Sequence, residues 1–215
     1  MLDNYLGLNY TDIYLIRHAD FNDKHLTGGW TDSTISKIGE YQSLALANDL
    51  ENNLEINSII TSTLKRASMT AEIIADHLNS PLHYEDDFRT INNGILIGKT
   101  QEEAERLNIN KYLEDNQYCI DQGESYQYFQ NRIKNAFDKL VRTYKDKTIL
   151  VVTHGRVIQT ILKQLLQQHY DIKINYGVYP TGVTNIRIYE DNSILISKLN
   201  DTKHLSPNLI VSDVE

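Results

Sequence analysis

Three short, mainly apolar runs stand out along the chain, at 13–16 (IYLI), 58–60 (SII) and 149–152 (ILVV). None of them alternates with polar residues, and each contains β-branched side chains. Strands with this pattern are typical of parallel sheets that are covered by helices on both faces. The pattern therefore predicts three buried parallel strands.

Apolar residues between and after these runs recur at three- and four-residue spacing, which is the period of a helix packed on one face. We predict four helices and expect each apolar stripe to lie in the core. Ser36 is a good N-cap for the first helix, and the ENN segment at 51–53 ends it. The stripes are Ile38, Tyr41, Leu44 and Ala45; Leu64, Ala67, Ala71, Ile74, Ala75 and Leu78; Phe129, Ile133, Phe137, Leu140, Val141 and Tyr144; and Val157, Ile158, Ile161, Leu162, Leu165 and Leu166.

The segment 182–199 (GVTNIRIYEDNSILISKL) predicts two strands joined by a turn at 190–192. A hairpin of this kind adds an antiparallel strand at the edge of a sheet. Together with the alternation of strands and helices, it predicts an α/β fold of three layers. We expect a doubly wound, mostly parallel sheet with helices on both faces and an antiparallel edge strand, in a single domain over residues 1–215.

Composition narrows the function more than the fold. The chain has 215 residues, and a chain of this length buries roughly 70% of its unfolded surface, so it needs no metal or disulfide for stability. No signal-peptide pattern and no run of about 18 apolar residues occurs, so we expect a cytosolic protein without a membrane partner. The formal net charge of -8 argues against nucleic acid as a partner, whereas a local basic pocket would still admit a small phosphate. We leave a homodimer open.

Cys119 is the single cysteine of the chain. One cysteine excludes an internal disulfide and a metal site built from several cysteines, and it fits a reducing compartment. We expect its thiol to be buried or half-buried.

Basic residues come shortly after three of the predicted strands. Arg17 and His18 follow the first strand, Lys65 and Arg66 follow the second, and the segment 154–156 (HGR) follows the strand at 149–152. Ligands of doubly wound sheets bind beyond the carboxyl ends of the strands. A single histidine there would more often be structural, but two at one edge favour a functional site.

The residue types at this edge suit phosphoryl transfer. Arg66 falls in the first turn of its helix, where the helix dipole disfavours a cation unless an anion is bound nearby. Gly155 lets the N-terminus of the last helix come close to a phosphate. Guanidinium groups stabilise the equatorial oxygens of the transferring group, and a neutral imidazole can be the nucleophile. A zinc site is less favoured, because no HxH, HExxH or CxxC spacing occurs.

Several ordered motifs resemble the histidine phosphatase superfamily, the phosphoglycerate mutase-like fold. LIRHAD (15–20) is similar to its Arg-His-Gly/Ala signature, and VVTHGRVI (151–158) to its second-histidine motif. The resemblance covers nearly the whole chain. The other segments that carry it are GGWTDSTISKIGEYQ (28–42), IITSTLKRASMTAEIIA (59–75), QGESYQYFQNRI (122–133) and NDTKHL (200–205).

The resemblance implies a role for each matching residue. His18 would attack phosphorus and become a phosphohistidine, while Arg17, Arg66 and His154 hold the phosphoryl oxygens. Water would then hydrolyse the intermediate. No cofactor and no metal is implied, and the partner is a small phosphorylated substrate or inorganic phosphate.

Two positions depart from the family pattern. In FRTINNGILIGKT (88–100), Thr90 stands where members commonly carry the glutamate that protonates the leaving oxygen. Lys24 stands where the mutase subgroup usually has asparagine, which lowers the mutase interpretation. Five carboxylates on neighbouring loops are candidates to replace the acid: Asp20, Glu85, Asp86, Asp87 and Glu124.

Three hypotheses follow. The first is a metal-independent phosphomonoester phosphatase that acts on a small metabolite. The second is a phosphoglycerate mutase, and the third is a phosphate-binding or regulatory protein with reduced turnover, motivated by Thr90. The substrate is not named by the sequence, although the loops 21–35 and 108–123, the latter with Tyr112 and Tyr118, contain groups that could contact a sugar or an aromatic ring.

Overall fold

The computed structural model describes residues 7–107, 117–168 and 174–211. These residues contain six strands, five α-helices and short 3-10 turns. The strands are β1 (Tyr10–Arg17), β2 (Ser58–Thr61), β3 (Leu82–Tyr84), β4 (Thr148–Thr153), β5 (Val183–Tyr189) and β6 (Ile194–Asp201). The helices are α1 (Lys37–Glu51), α2 (Lys65–Leu78), α3 (Gln101–Arg106), α4 (Tyr126–Thr143) and α5 (Gly155–Leu165).

The strands form one sheet in the order β3-β2-β4-β1-β5-β6. The first four strands in this order are parallel, β5 runs antiparallel to β1, and β6 pairs antiparallel with β5 at the edge. The α/β fold class, the mostly parallel sheet and the antiparallel hairpin are therefore confirmed. The chain leaves the neighbouring strands β1 and β4 towards opposite faces of the sheet, and such a switch point is where doubly wound folds bind ligands.

Alternate residues of the central strands enter two separate cores. Ile13 and Leu15 of β1 pack with α4 and α5 on one face of the sheet, whereas Tyr14 and Ile16 pack with α1 and α2 on the other. Because successive side chains of a strand point to opposite faces, a continuous apolar run is what a sheet covered on both sides requires. This arrangement explains the three runs noted in the sequence.

The structure adds two elements that the apolar pattern did not predict. β3 has three residues, of which one is half-buried and two are exposed, so it lacks an apolar run. Helix α3 has six residues and is defined by a capping box between Thr100 and Glu103 rather than by an apolar stripe. Both elements are too short for hydrophobic periodicity to detect.

The stripe predicted for α1 is wrong, although the helix and its Ser36 N-cap are confirmed. Ile38, Tyr41 and Leu44 are exposed, and the buried face consists of Gly39, Gln42, Ser43, Leu46, Ala47 and Leu50. The helix buries polar and small side chains because it packs against the turn that follows β1, where hydrogen bonds are needed. Leu166 is also exposed, since α5 ends at Leu165.

Cys119 is exposed, so the expectation of a buried or half-buried thiol is wrong. Its segment lies at the rim of a cavity, where the sulfur contacts the backbone oxygens of Ile120 and Gly123. Tyr118 is half-buried against the core, and Tyr112 lies outside the described residues. Within those described ranges, no helix has the length and apolar composition needed to cross a membrane.

Candidate active site

The two histidines meet because β1 and β4 are parallel and in register. Arg17 at the end of β1 lies opposite Thr153 at the end of β4, so His18 and His154 leave neighbouring strands at the same level. The His18 amide donates to the Thr153 carbonyl over 2.8 Å. The two imidazole centroids are 5.2 Å apart, with an angle of 62° between the rings.

Arg66 reaches this pair from the first turn of α2. Its Nε donates to His18 Nε2 over 3.2 Å, and its two terminal nitrogens donate to the carbonyl oxygens of Thr31 and Gly29 over 2.7 and 2.8 Å. These carbonyls orient the guanidinium at a helix terminus that disfavours a cation. We call Arg17, His18, Arg66 and His154 the Arg-His cluster; all four are buried.

The hydrogen bonds of His18 define its tautomer. Nδ1 lies 2.8 Å from the Ala19 carbonyl oxygen, which only accepts, so Nδ1 carries the proton. Nε2 therefore carries the lone pair, which accepts the hydrogen bond from Arg66 Nε. Burial lowers the pKa of His18 well below its usual value, and the charges of Arg66, Arg17 and Lys24 lower it further, against a smaller opposing effect of the Ala19 carbonyl. A neutral imidazole whose Nε2 carries the lone pair is the nucleophilic form.

His154 is the N-cap residue of α5 and presents a different nitrogen arrangement. Nε2 lies 2.8 Å from the Ser62 hydroxyl, while the buried Nδ1 has no hydrogen-bond partner among the described residues. Burial is the largest cause that lowers the pKa of His154 well below its usual value, and electrostatic interactions with Arg66, His18, Arg17 and Arg132 lower it further. Gly155 is buried as the first residue of α5, where helix N-termini offer free N–H groups to anions.

Arg17 is oriented by the segment 178–182. Its Nη1 donates to the Val178 carbonyl oxygen over 2.7 Å, and its own carbonyl accepts from the Thr181 amide over 3.0 Å. Thr181 has a φ of 56°, which is unfavourable for a β-branched residue. Its hydroxyl lies 3.0 Å from His204 Nε2, so the closing motif NDTKHL supports the turn that holds Arg17.

Two of the five candidate acids are buried in other interactions. Asp20 accepts from the Ser36 hydroxyl over 2.5 Å and from Lys24 Nζ. Glu124 accepts from Arg132 with both oxygens, at 2.6 and 3.2 Å, and from the Asn92 amide over 2.9 Å. Both carboxylates are therefore occupied by donors from the protein.

The other three candidates lie farther out. Glu85 pairs with Lys139 on the surface, and Asp86 accepts from Thr63 over 2.6 Å and from Arg89 over 2.7 Å. Asp87 lines a neighbouring cavity that none of the cluster residues lines. Thr90 is buried, and its carbonyl oxygen accepts from Trp30 Nε1 over 2.7 Å and from Arg132.

This neighbouring space, the outer cavity, has a volume of about 550 Å³. The Arg89 guanidinium lies 4.8 Å from the centre of the Trp30 ring at its wall. Its lining residues are Trp30, Asp86, Asp87, Arg89, Asn92, Cys119, Gly123, Glu124, Ser125, Tyr128 and Arg132.

The structure brings together the four residues of the Arg-His cluster with Gly155, and it separates them from other basic residues at the strand ends. Lys65 pairs with Asp32 at the surface, and Arg156 is exposed. Sequence reasoning missed Ser62 as the partner of His154, although it lies directly after β2 in the quoted motif. In the described part of the chain, no group of three or more His, Cys, Asp or Glu side chains is arranged to hold a metal ion.

A family model for the histidine phosphatase superfamily (branch 1) matches residues 13–202. The uncharacterized phosphatase PhoE of Bacillus subtilis (strain 168) is 31% identical over 157 residues, which are 72% of this chain and 77% of that protein. Phosphoserine phosphatase 1 of Hydrogenobacter thermophilus (strain DSM 6534 / IAM 12695 / TK-6) is 27% identical over 203 residues, covering 90% of this chain and 93% of the relative.

A solved structure is similar to this chain over most of its length. YhfR of Bacillus stearothermophilus superimposes with a TM-score of 0.79 at 27% identity, covering 90% of this chain and 98% of its own. The relatives include a mutase as well as phosphatases. It is named probable phosphoglycerate mutase GpmB and comes from Erwinia tasmaniensis (strain DSM 17950 / CFBP 7177 / CIP 109463 / NCPPB 4357 / Et1/99). This mutase relative is 29% identical over 160 residues, which cover 72% of this chain and 74% of that protein.

Proposed function

The chain belongs to the histidine phosphatase superfamily, and we propose that it is a metal-independent phosphomonoester phosphatase that works through a phosphohistidine. The observation that carries this proposal is the state of His18, whose unprotonated Nε2 lies 3.2 Å from the Arg66 guanidinium. A phosphoryl group held by that guanidinium would present its phosphorus to the lone pair. Phosphatase names among the relatives support the reaction class.

The remaining cluster residues suit the transition state. Arg17 and Arg66 would neutralise the equatorial oxygens, because charge spreads over them as the phosphoryl group transfers. His154 Nδ1 is buried without a partner, so we assign it to a phosphoryl oxygen. The N–H groups at the start of α5, from Gly155 onward, would add positive potential. These protein charges supply the stabilisation that the step needs, and no cofactor is called for.

The substrate in this proposal is a small phosphorylated metabolite. The net charge of -8 would repel a nucleic acid while the cluster attracts a single phosphate. The relative named phosphoserine phosphatase 1 also favours a small phosphomonoester as the substrate. A cytosolic location, a homodimer and a single domain over 1–215 stay predictions.

The test is replacement of His18 by alanine. We expect loss of p-nitrophenyl phosphate hydrolysis and of the acid-labile, base-stable phosphoryl label on the protein. His83→Ala is the matched control, because His83 is an exposed histidine on β3. Full activity of His18→Ala would refute the nucleophile assignment.

A second assay separates the alternatives. Wild-type enzyme with EDTA present should hydrolyse p-nitrophenyl phosphate and should not convert 3-phosphoglycerate to its 2-isomer. Isomerisation would favour the mutase. Phosphate or vanadate binding without turnover would favour the binding protein that Thr90 suggested.

A further inference from the structure

A phosphatase that acts on alkyl phosphates must deliver a proton to the leaving oxygen, because an alkoxide is a poor leaving group. The Arg-His cluster has no proton to spare for this step. His18 Nε2 attacks, arginine does not deprotonate in proteins, and His154 is kept neutral by burial and its cationic neighbours. A threonine hydroxyl at position 90 is not an acid near neutral pH.

The loop after His18 carries a further proton donor, Lys24, whose charge acts on His18. Phe21 packs edge-on against the His18 ring, with centroids 5.3 Å apart, and also lies under the Arg66 guanidinium at 5.6 Å. Lys24 reaches back from the end of this turn, and its ammonium binds the Asp20 carboxylate. The Lys24 charge is also one of those that lower the pKa of His18.

Asp20 is fixed from several sides, so it holds Lys24 in a defined place. Its amide donates to Gln42 Oε1 over 2.8 Å, its carbonyl accepts from the Ser36 amide, and its carboxylate accepts from the Ser36 hydroxyl. Gly39 permits this close packing, because a Cβ there would come within 2.1 Å of the Asp20 carbonyl oxygen. The buried polar face of α1 therefore anchors the carboxylate that positions the lysine.

Lys24 is much more exposed than the nucleophile. The Lys24 side chain is 44% exposed, whereas His18 is 1% exposed. In an in-line displacement, the leaving oxygen lies on the side of phosphorus opposite the nucleophile. If the buried His18 attacks from the protein side, the leaving oxygen points towards solvent, and Lys24 is the partly exposed cation on this loop that would meet it.

We propose that Lys24 is the proton donor to the leaving oxygen, an assignment that rests on the proposed phosphatase function. As the bond from His18 Nε2 to phosphorus forms, the bond from phosphorus to the leaving oxygen breaks. The electron pair of the broken bond takes a proton from the Lys24 ammonium, which leaves an alcohol and a neutral amine.

The second half of the reaction restores both groups. The Lys24 amine accepts a proton from water as the water oxygen bonds to phosphorus. The nitrogen–phosphorus bond breaks, its electron pair returns to His18 Nε2, and inorganic phosphate leaves. Asp20 keeps the regenerated ammonium in place.

The experiment measures kcat/KM of Lys24→Met on p-nitrophenyl phosphate and on glycerol phosphate. We expect a loss of about 10²-fold or more on glycerol phosphate and of less than about 3-fold on p-nitrophenyl phosphate, because nitrophenolate leaves without a proton. Lys37→Met is the matched control, since Lys37 forms a similar short-range ion pair with Glu40 on the exposed side of α1.

Lys24→Arg distinguishes a proton donor from a fixed charge. Arginine keeps the charge but does not release a proton, so we expect it to remain as impaired on glycerol phosphate as Lys24→Met. Normal turnover in Lys24→Arg, an equal loss on both substrates, or no loss in Lys24→Met would each overturn the assignment. Failure of the phosphatase proposal would appear separately, as wild-type enzyme that hydrolyses neither substrate.

Discussion

The Arg-His cluster and the wall of the outer cavity lie side by side, but they are built in different ways. The cluster consists of residues at strand ends and a helix start, where His18 and His154 are adjacent through the register of β1 and β4. The cavity wall is held together by Arg132, which forms an ion pair with Glu124. Its guanidinium also donates hydrogen bonds to the carbonyl oxygens of Asp87, Arg89 and Thr90.

This difference links the Arg-His cluster to ligand binding and the cavity wall to stability. His18 Nε2 carries a lone pair that accepts only from Arg66, and His154 Nδ1 has no hydrogen-bond partner among the described residues, so both nitrogens are suited to a ligand. Glu124, by contrast, has both oxygens occupied by protein donors. We therefore expect changes in the cluster to act mainly on ligand binding near neutral pH, and changes in the wall to act mainly on folding.

The largest effect is expected in the wall, from Glu124→Ala. The change leaves the largely buried Arg132 guanidinium, 12% exposed, without its carboxylate, and breaking a buried ion pair from one side costs about 3–5 kcal/mol. Urea denaturation should show that loss in the free energy of unfolding. Vanadate affinity of the folded fraction should change little, because neither residue belongs to the cluster.

A double variant provides the control for this prediction. Glu124→Ala combined with Arg132→Met removes both charges, so it should recover part of the lost stability. A Glu124→Ala protein as stable as wild type would show that the pair does not hold the wall together.

The next largest effect is expected in the cluster, from Arg66→Ala. Hydrogen bonds to charged groups contribute about 1.5–3 kcal/mol, so inhibition by vanadate should weaken by about 10- to 150-fold. Lys65→Ala is the matched control, because the neighbouring lysine pairs with Asp32 at the surface and should change inhibition by less than about 3-fold. Unchanged inhibition in Arg66→Ala would place this guanidinium outside the binding site.

The same contrast explains what could be predicted from the sequence. Buried parallel strands appear as apolar runs, and the residue that follows each run is placed by the strand, so Arg17, His18 and His154 could be identified together. The partners Ser62 and Glu124 could not, because each acts through a contact between distant segments: Ser62 with His154, and Glu124 with Arg132 and Asn92. Periodicity carries no signal for such pairs.

Helix α1 shows the limit of the pattern itself. Its apolar residues Ile38, Tyr41 and Leu44 face solvent, while Gln42 is buried because it holds the Asp20 amide and the Leu209 carbonyl. Amphipathic spacing identifies a helix, but polar groups that satisfy buried backbone near a site reverse which face is buried.

The smallest effect, counted per pH unit and per histidine, is the loss of unfolding free energy at acid pH that we expect from the two cluster histidines. Burial and neighbouring cations hold the pKa of His18 and of His154 well below the usual value of about 6.5. Below about pH 6.5 the unfolded chain therefore binds more protons than the folded protein, so the free energy of unfolding falls as the pH is lowered, by about 1.4 kcal/mol per pH unit for each histidine. Replacing both by glutamine should make the slope between about pH 6 and pH 5 shallower by that amount per histidine.

His204, whose pKa burial lowers to about 4, still contributes, so a residual slope is expected in the double glutamine variant. Trp30→Phe in the cavity wall removes no titrating group and should leave the slope unchanged. Equal slopes in wild type and the double glutamine variant, measured by urea denaturation across this range, would mean that the two histidines accept protons in the folded protein.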